Sequence, residues 1–86
     1  MPGSLRESLP WVRLGIDRED WQRLADAFYA LAHGDGALFD RLPALLKEHP
    51  AGVLCARYLA ERDPALLEEA GCLLTGSRQW YVCLGR

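Results

Sequence analysis

The apolar positions of this chain recur at helical spacing over most of its length. Between residues 18 and 33, Trp21, Leu24, Ala25, Phe28, Leu31 and Ala32 fall at i, i+3, i+4, i+7, i+10 and i+11. Arg18, Glu19, Gln22, Arg23 and Asp26 take the opposite face. This pattern predicts an amphipathic helix over 18–33. Asp17 is placed to cap it, and Glu19 and Asp20 suit its positive N-terminal end. Gly34-Asp35-Gly36 stops it in a tight turn: one glycine takes the left-handed position and Asp35 caps the next helix. So short a link implies antiparallel neighbours.

A second helix is expected over 37–48, with Leu38, Leu42, Leu45 and Leu46 on one face and Phe39 widening it. Pro43 conflicts with it, because a proline inside a helix removes a backbone donor and clashes with the preceding turn, at about 3 kcal/mol. Either the helix kinks there, or a short turn of helix gives way to a fresh one with Pro43 in its first turn. His49-Pro50 separates a third helix, 51–62, to which Val53, Leu54, Tyr58 and Leu59 contribute the apolar face. Asp63-Pro64 is a strong start signal, an acidic cap followed by proline at the first helical position. Leu66, Leu67, Ala70, Leu73 and Leu74 then define a fourth helix over 64–75, stopped by Gly76. Gly71 weakens that helix by about 1 kcal/mol relative to alanine, or admits a close neighbour.

The two ends read differently. Pro10 breaks the N-terminal stretch, and Val12, Leu14 and Ile16 alternate at period two, as in a short strand or an extended segment that packs Trp11 on the helices. Residues 79–84 are aromatic and β-branched and have strand propensity. They would pair with 11–16, extend a partner's sheet, or form a final helical turn. The expected fold is therefore mainly α: one domain over 1–86, four helices packed as antiparallel pairs, an ill-defined segment 1–16 and an extended tail 79–86.

At 86 residues the chain buries a modest share of its surface and gains from a partner or from self-association. Half its residues are hydrophobic, which excludes disorder. Ten basic and twelve acidic side chains leave a net charge of -2, with the signs interspersed. Neither nucleic-acid binding nor a polybasic membrane contact fits that distribution. No apolar run reaches the roughly 18 residues of a membrane span, and no signal-peptide pattern opens the chain. The three cysteines, Cys55, Cys72 and Cys83, are odd in number and widely spaced, which points to the reducing cytoplasm.

Candidate chemistry is sparse. Without a Cys-x-x-Cys pair, and with His33 and His49 at opposite ends of one hairpin, the cysteines and histidines lack structural-zinc spacing. Cys55 reads as ordinary core, and Cys83 as the most exposed thiol. His33-Gly34-Asp35-Gly36 has no Gly-x-Ser-x-Gly partner and is better explained as a turn. Glu68-Glu69 and the pair Asp17 and Asp20 are explained by capping and solvation. Arg57, Arg62 and Arg78 flank a helix that itself carries Glu68 and Glu69 and no Lys or Arg, so phosphate would be repelled. No enzyme motif and no cofactor is indicated.

Trp21, Leu24, Ala25, Phe28, Ala37 and Ala44, followed by Pro50, resemble one tetratricopeptide repeat over residues 18–50. Arg41 stands where that repeat usually has a bulky aromatic, and Pro43 interrupts its second helix. Within the class, Trp21, Gly36-Ala37-Leu38, Arg41-Leu42 and Leu45 are similar to the repeat-type chaperones of type III secretion needle subunits, small bacterial cytosolic proteins. The resemblance implies a groove that takes an amphipathic helix. The expected function is a non-enzymatic adaptor or chaperone, with a homodimer as a further possibility. Its partner-binding residues are Leu24, Phe28, Ala37, Leu38 and Arg41 in a groove between the first three helices, and Trp80 and Tyr81 in the tail. The alternative is a small regulatory or auxiliary subunit that docks through the aromatic segment 80–84.

Overall fold

Six helices run through residues 9–80, the part of the chain described by the computed structural model. They are α1 (Pro10–Leu14), α2 (Arg18–Ala32), α3 (Ala37–Asp40), α4 (Ala44–Glu48), α5 (Pro50–Glu61) and α6 (Pro64–Thr75). No strand occurs among the described residues, and the fold is mainly α. Residues 1–8 and 81–86 lie outside the described part, and with them most of the tail expected to be extended.

The expected four helices become six for two reasons. First, residues 11–16 are not extended: most of them form α1. Pro10 takes the first turn, where its missing N–H costs nothing. Gly15 closes the helix in the left-handed region, at φ 71°. Its N–H donates to the Val12 carbonyl at 3.2 Å and the Ile16 N–H donates to Trp11 at 3.1 Å, a Schellman closure. Five residues are too few to display a helical period, so the alternation of Val12, Leu14 and Ile16 imitates a strand. Val12 in fact faces solvent, while Leu14 and Ile16 pack on the core.

Second, Pro43 divides the 37–48 helix. It stands at the N-cap of α4 with ψ 151°, outside the helix on either side. The chain thereby keeps its helical hydrogen bonds and avoids the clash of an internal proline. The two halves then part company: α3 packs mainly on α2 and α4 on α5. Ala37 and Ala44 are exposed and mediate no close helix approach. That role falls to Gly52 of α5. A Cβ there would strike the Leu46 carbonyl oxygen and lie 2.9 Å from the Lys47 Cα.

Leu24, Phe28 and Leu31 of α2 form the centre of the core, with Phe39, Leu46, Cys55 and Leu74 from the helices around it. Fully burying each large apolar side chain contributes roughly 1.5–3 kcal/mol. The Trp21 Nε1–H donates to the Leu74 carbonyl at 2.8 Å and ties α2 to the last turn of α6. The α5–α6 junction needs only Arg62 and Asp63. Asp63 Oδ1 accepts the Ala65 N–H at 3.0 Å, Pro64 opens the helix, and Gly76 ends it, as expected from the sequence.

Candidate functional site

A cleft lies along α6, bordered by α5 and by the turn that follows Gly76. Its volume is 930 Å³ and it opens to solvent. Leu54 from α5 and Cys72 and Leu73 from α6 supply an apolar floor, all three half-buried. Glu68, Glu69 and Arg78 supply charged edges. Among the described residues, α6 has apolar side chains on more than its buried line. Leu66, Ala70 and Leu74 recur every four residues and are buried. Cys72 and Leu73 lie on a neighbouring line of the helix and stay half-buried among the described residues. A helix apolar on more than one face calls for a further neighbour.

The turn after α6 shapes one end of the cleft. The Thr75 hydroxyl donates to the Gly71 carbonyl at 2.8 Å and accepts the Ser77 N–H at 3.2 Å. The Gln79 N–H donates to Ser77 Oγ at 3.0 Å. These bonds fold the chain back so that the Trp80 indole covers Gly71, where a Cβ would run into the ring. The indole meets Phe28 edge-on, with centroids 4.9 Å apart, and its N–H donates to Glu68 Oε2 at 3.0 Å. Gly71 therefore serves the second of its two expected roles, the close neighbour.

A smaller cleft of 470 Å³ lies between α2 and the α3–α4 break, lined by Arg23, Asp26, Leu38, Arg41, Leu42 and Pro43. Here the structure brings together two of the expected binding residues, Leu38 and Arg41. It separates them from two others. Leu24 and Phe28 are both 0 % exposed, sealed by the chain's own helices, so no groove between the first three helices presents them to a partner. Ala37 is exposed but lines neither cleft. Trp80 is half-buried and engaged as just described, with Gln79 in a turn and Trp80 itself helical. Tyr81 lies outside the described residues. Sequence reasoning missed Leu54, Cys72, Leu73 and Arg78 as a group. The available signal was the apolar line of α6 beside the buried one.

Among the described residues no polar or charged side chain is buried, and no three His, Cys, Asp or Glu side chains gather to hold a metal ion. Burial pushes the Cys55 thiol up from 9.0 to about 11, so at neutral pH it is protonated and a poor nucleophile. No helix among the described residues is long and apolar enough to cross a membrane. In comparisons with known proteins, no family model, no curated protein and no solved structure matches the chain.

Proposed function

We propose that this chain is a non-enzymatic protein-binding module, an adaptor or chaperone, that holds an amphipathic helix of a partner protein in the cleft along α6. The carrying observation is the composition of that cleft: an apolar floor of Leu54, Cys72 and Leu73 between charged edges. Such a surface matches helix-in-groove recognition, in which apolar anchors at helical spacing enter the floor and polar residues meet the rim. The proposed site thus differs from the expected groove between the helices over 18–33, 37–48 and 51–62 and lies instead along α5 and α6, while the proposed mode of binding stays the same. Widely spaced, unpaired thiols favour a cytoplasmic setting.

Leu38 and Leu45, the latter 81 % exposed, leave further apolar surface on α3 and α4. That surface favours self-association as a second use of the chain. The rival reading, an auxiliary subunit docking through residues 80–84, has less support because Trp80 is already committed to Phe28 and Glu68.

Affinity capture with three proteins tests the site: the unchanged chain, Leu73→Gln and Leu38→Gln, each checked for helical content by circular dichroism. A partner held by the first and third and lost with the second is the expected result. Loss with Leu38→Gln alone would place the site in the smaller cleft. Equal capture by all three would remove both clefts from consideration.

A further inference from the structure

We infer that Phe28, Gly71 and Glu68 form a binding slot for an indole, that Trp80 fills it as a tethered ligand, and that a tryptophan side chain of another polypeptide takes the same slot when Trp80 withdraws. The inference goes beyond the helix-in-groove reading and does not depend on it. Three features suit the slot to an indole rather than to any apolar group. Gly71 has no side chain, and the flat ring lies where its Cβ would be. Phe28 meets the ring in a T-shaped contact, with centroids 4.9 Å apart and planes at 81°, an arrangement that aromatic quadrupoles favour. Glu68 Oε2 accepts the Nε1–H at 3.0 Å, a bond that a phenylalanine cannot make and that the charge of the carboxylate strengthens.

The occupant is held differently from the centre of the core. Leu24, Phe28 and Leu74 are fully buried, whereas Trp80 is half-buried and its bond to Glu68 lies at the surface. A short turn carries it. Gly76 ends α6 in the left-handed region at φ 74°, and the Ser77 and Gln79 N–H groups donate to the Thr75 and Ser77 hydroxyls. A ligand on so short a tether meets its site at an effective concentration on the order of mM. Free indole below that concentration does not displace it. A polypeptide that adds contacts outside the slot does, and this commits the external ligand to a tryptophan side chain.

Emptying the slot provides the test. In the full chain carrying Trp80→Ala, indole at about ten times its dissociation constant should raise the melting temperature by roughly 6–11 °C, and the same concentration should shift the unchanged chain far less. Benzofuran has the shape of indole without the N–H. It should bind about threefold to tenfold more weakly, as expected for the loss of one exposed bond to a charged acceptor. Gly71→Ala/Trp80→Ala, its slot narrowed by a methyl group, should bind neither compound. A labelled synthetic peptide of residues 77–86 supplies Trp80 from outside. By fluorescence anisotropy it should bind the Trp80→Ala chain more tightly than the same peptide carrying Trp80→Phe.

If Trp80→Ala is unfolded, the readout becomes recovery of helical circular dichroism on adding indole. An unshifted melting temperature, or no such recovery, would overturn the proposal. Equal affinity for indole and benzofuran would do the same, as would undiminished indole binding by Gly71→Ala/Trp80→Ala. Indole binding with no preference between the two peptides would overturn the polypeptide ligand and leave a slot for free indole alone.

Discussion

Two glycines, Gly52 in α5 and Gly71 in α6, are both buried and both leave room for something to come close, but what comes close differs in kind. At Gly52 it is backbone: the Leu46 carbonyl and Lys47 of α4 lie against the helix. At Gly71 it is a side chain, the indole of Trp80. The first contact closes a corner between two helices that cannot separate without opening the core at Leu46, Ala51 and Cys55. The second is a single ring folded back over α6 at the edge of the candidate cleft. A helix–helix corner is fixed by main-chain geometry, whereas a covering side chain is fixed by a few contacts that a substitution can remove.

The largest expected effect breaks the first contact. Gly52→Ala puts a methyl group on the Leu46 carbonyl oxygen, and relief requires α4 to move as a unit. The expected cost is about 3 kcal/mol or more, the upper end of overpacking penalties. Thermal or urea unfolding measures it. A variant as stable as the parent would show that α4 does not rest on α5 as described.

The same corner predicts an effect of pH. Cys55 lies one helical turn from Gly52 and is buried, which raises its thiol from 9.0 to about 11. Because the folded value is the higher one, the unfolded chain gives up its thiol proton first as pH rises. This contribution to stability is complete below about 9.0 and is lost as pH climbs through about 11. Fully titrated, it amounts to roughly 2–3 kcal/mol. Cys55→Ala should flatten this part of the stability curve. Thiol labelling contrasts the two regions directly. In a chain carrying Cys83→Ser, Cys72 in the cleft should react in the native state and Cys55 only at the rate of unfolding. Comparable native rates would mean that the corner opens freely.

At the second contact a smaller cost is expected, and it can be rescued. Gly71→Ala drives a methyl group into the Trp80 ring, at about 1–3 kcal/mol. With Trp80→Ala present, the ring is gone and alanine is the better helix former, so the same change should stabilise by up to about 1 kcal/mol. The sign of Gly71→Ala should therefore reverse between the two backgrounds. No side-chain truncation can rescue Gly52→Ala in this way, because its obstacle is backbone. If Gly71→Ala costs the same with and without Trp80, the indole is not what Gly71 accommodates.

How much of this was legible follows from the range of each interaction. The bounds of α6 were readable because its signals are local: Asp63 and Pro64 at one end and Gly76 at the other. α2 was readable because its stripe is long enough to show a helical period. α1 was not, since five residues cannot display one, and only the Pro10 and Gly15 bounds betray it. Pro43 marked a break, but choosing a clean division over a kink depended on α4 finding α5. Leu24 and Phe28 were correctly placed on an apolar face. A stripe records that a face needs cover, not whether the chain itself supplies it, and here Trp80, Leu46 and Leu74 do. The cleft was legible only in part: Cys72 and Leu73 show as apolar positions beside the buried line, while Leu54 joins them through tertiary packing.

The smallest effects come from the caps that start the two helices bearing these glycines. The same pattern opens both: His49-Pro50-Ala51 begins α5 and Asp63-Pro64-Ala65 begins α6. His49 Nδ1 accepts the Ala51 N–H at 3.2 Å, as Asp63 Oδ1 accepts that of Ala65 at 3.0 Å. Because Nδ1 is the acceptor, the ring proton sits on Nε2, which donates to the Leu14 carbonyl at 3.1 Å and anchors the end of α1. Asp63 has an exposed side chain and caps only its own helix. Asp63→Ala should then cost about 1 kcal/mol, the usual value of a lost cap. His49→Ala should cost about 1 kcal/mol beyond that, for the bond to Leu14. His49→Asp separates the two terms, since it restores a capping acceptor but cannot donate to Leu14. Its stability should fall between those of the parent and His49→Ala. Equal losses for His49→Ala and Asp63→Ala would mean that the Leu14 bond contributes nothing and that α1 is held by its other contacts, the Trp11 ring against Trp21 foremost among them.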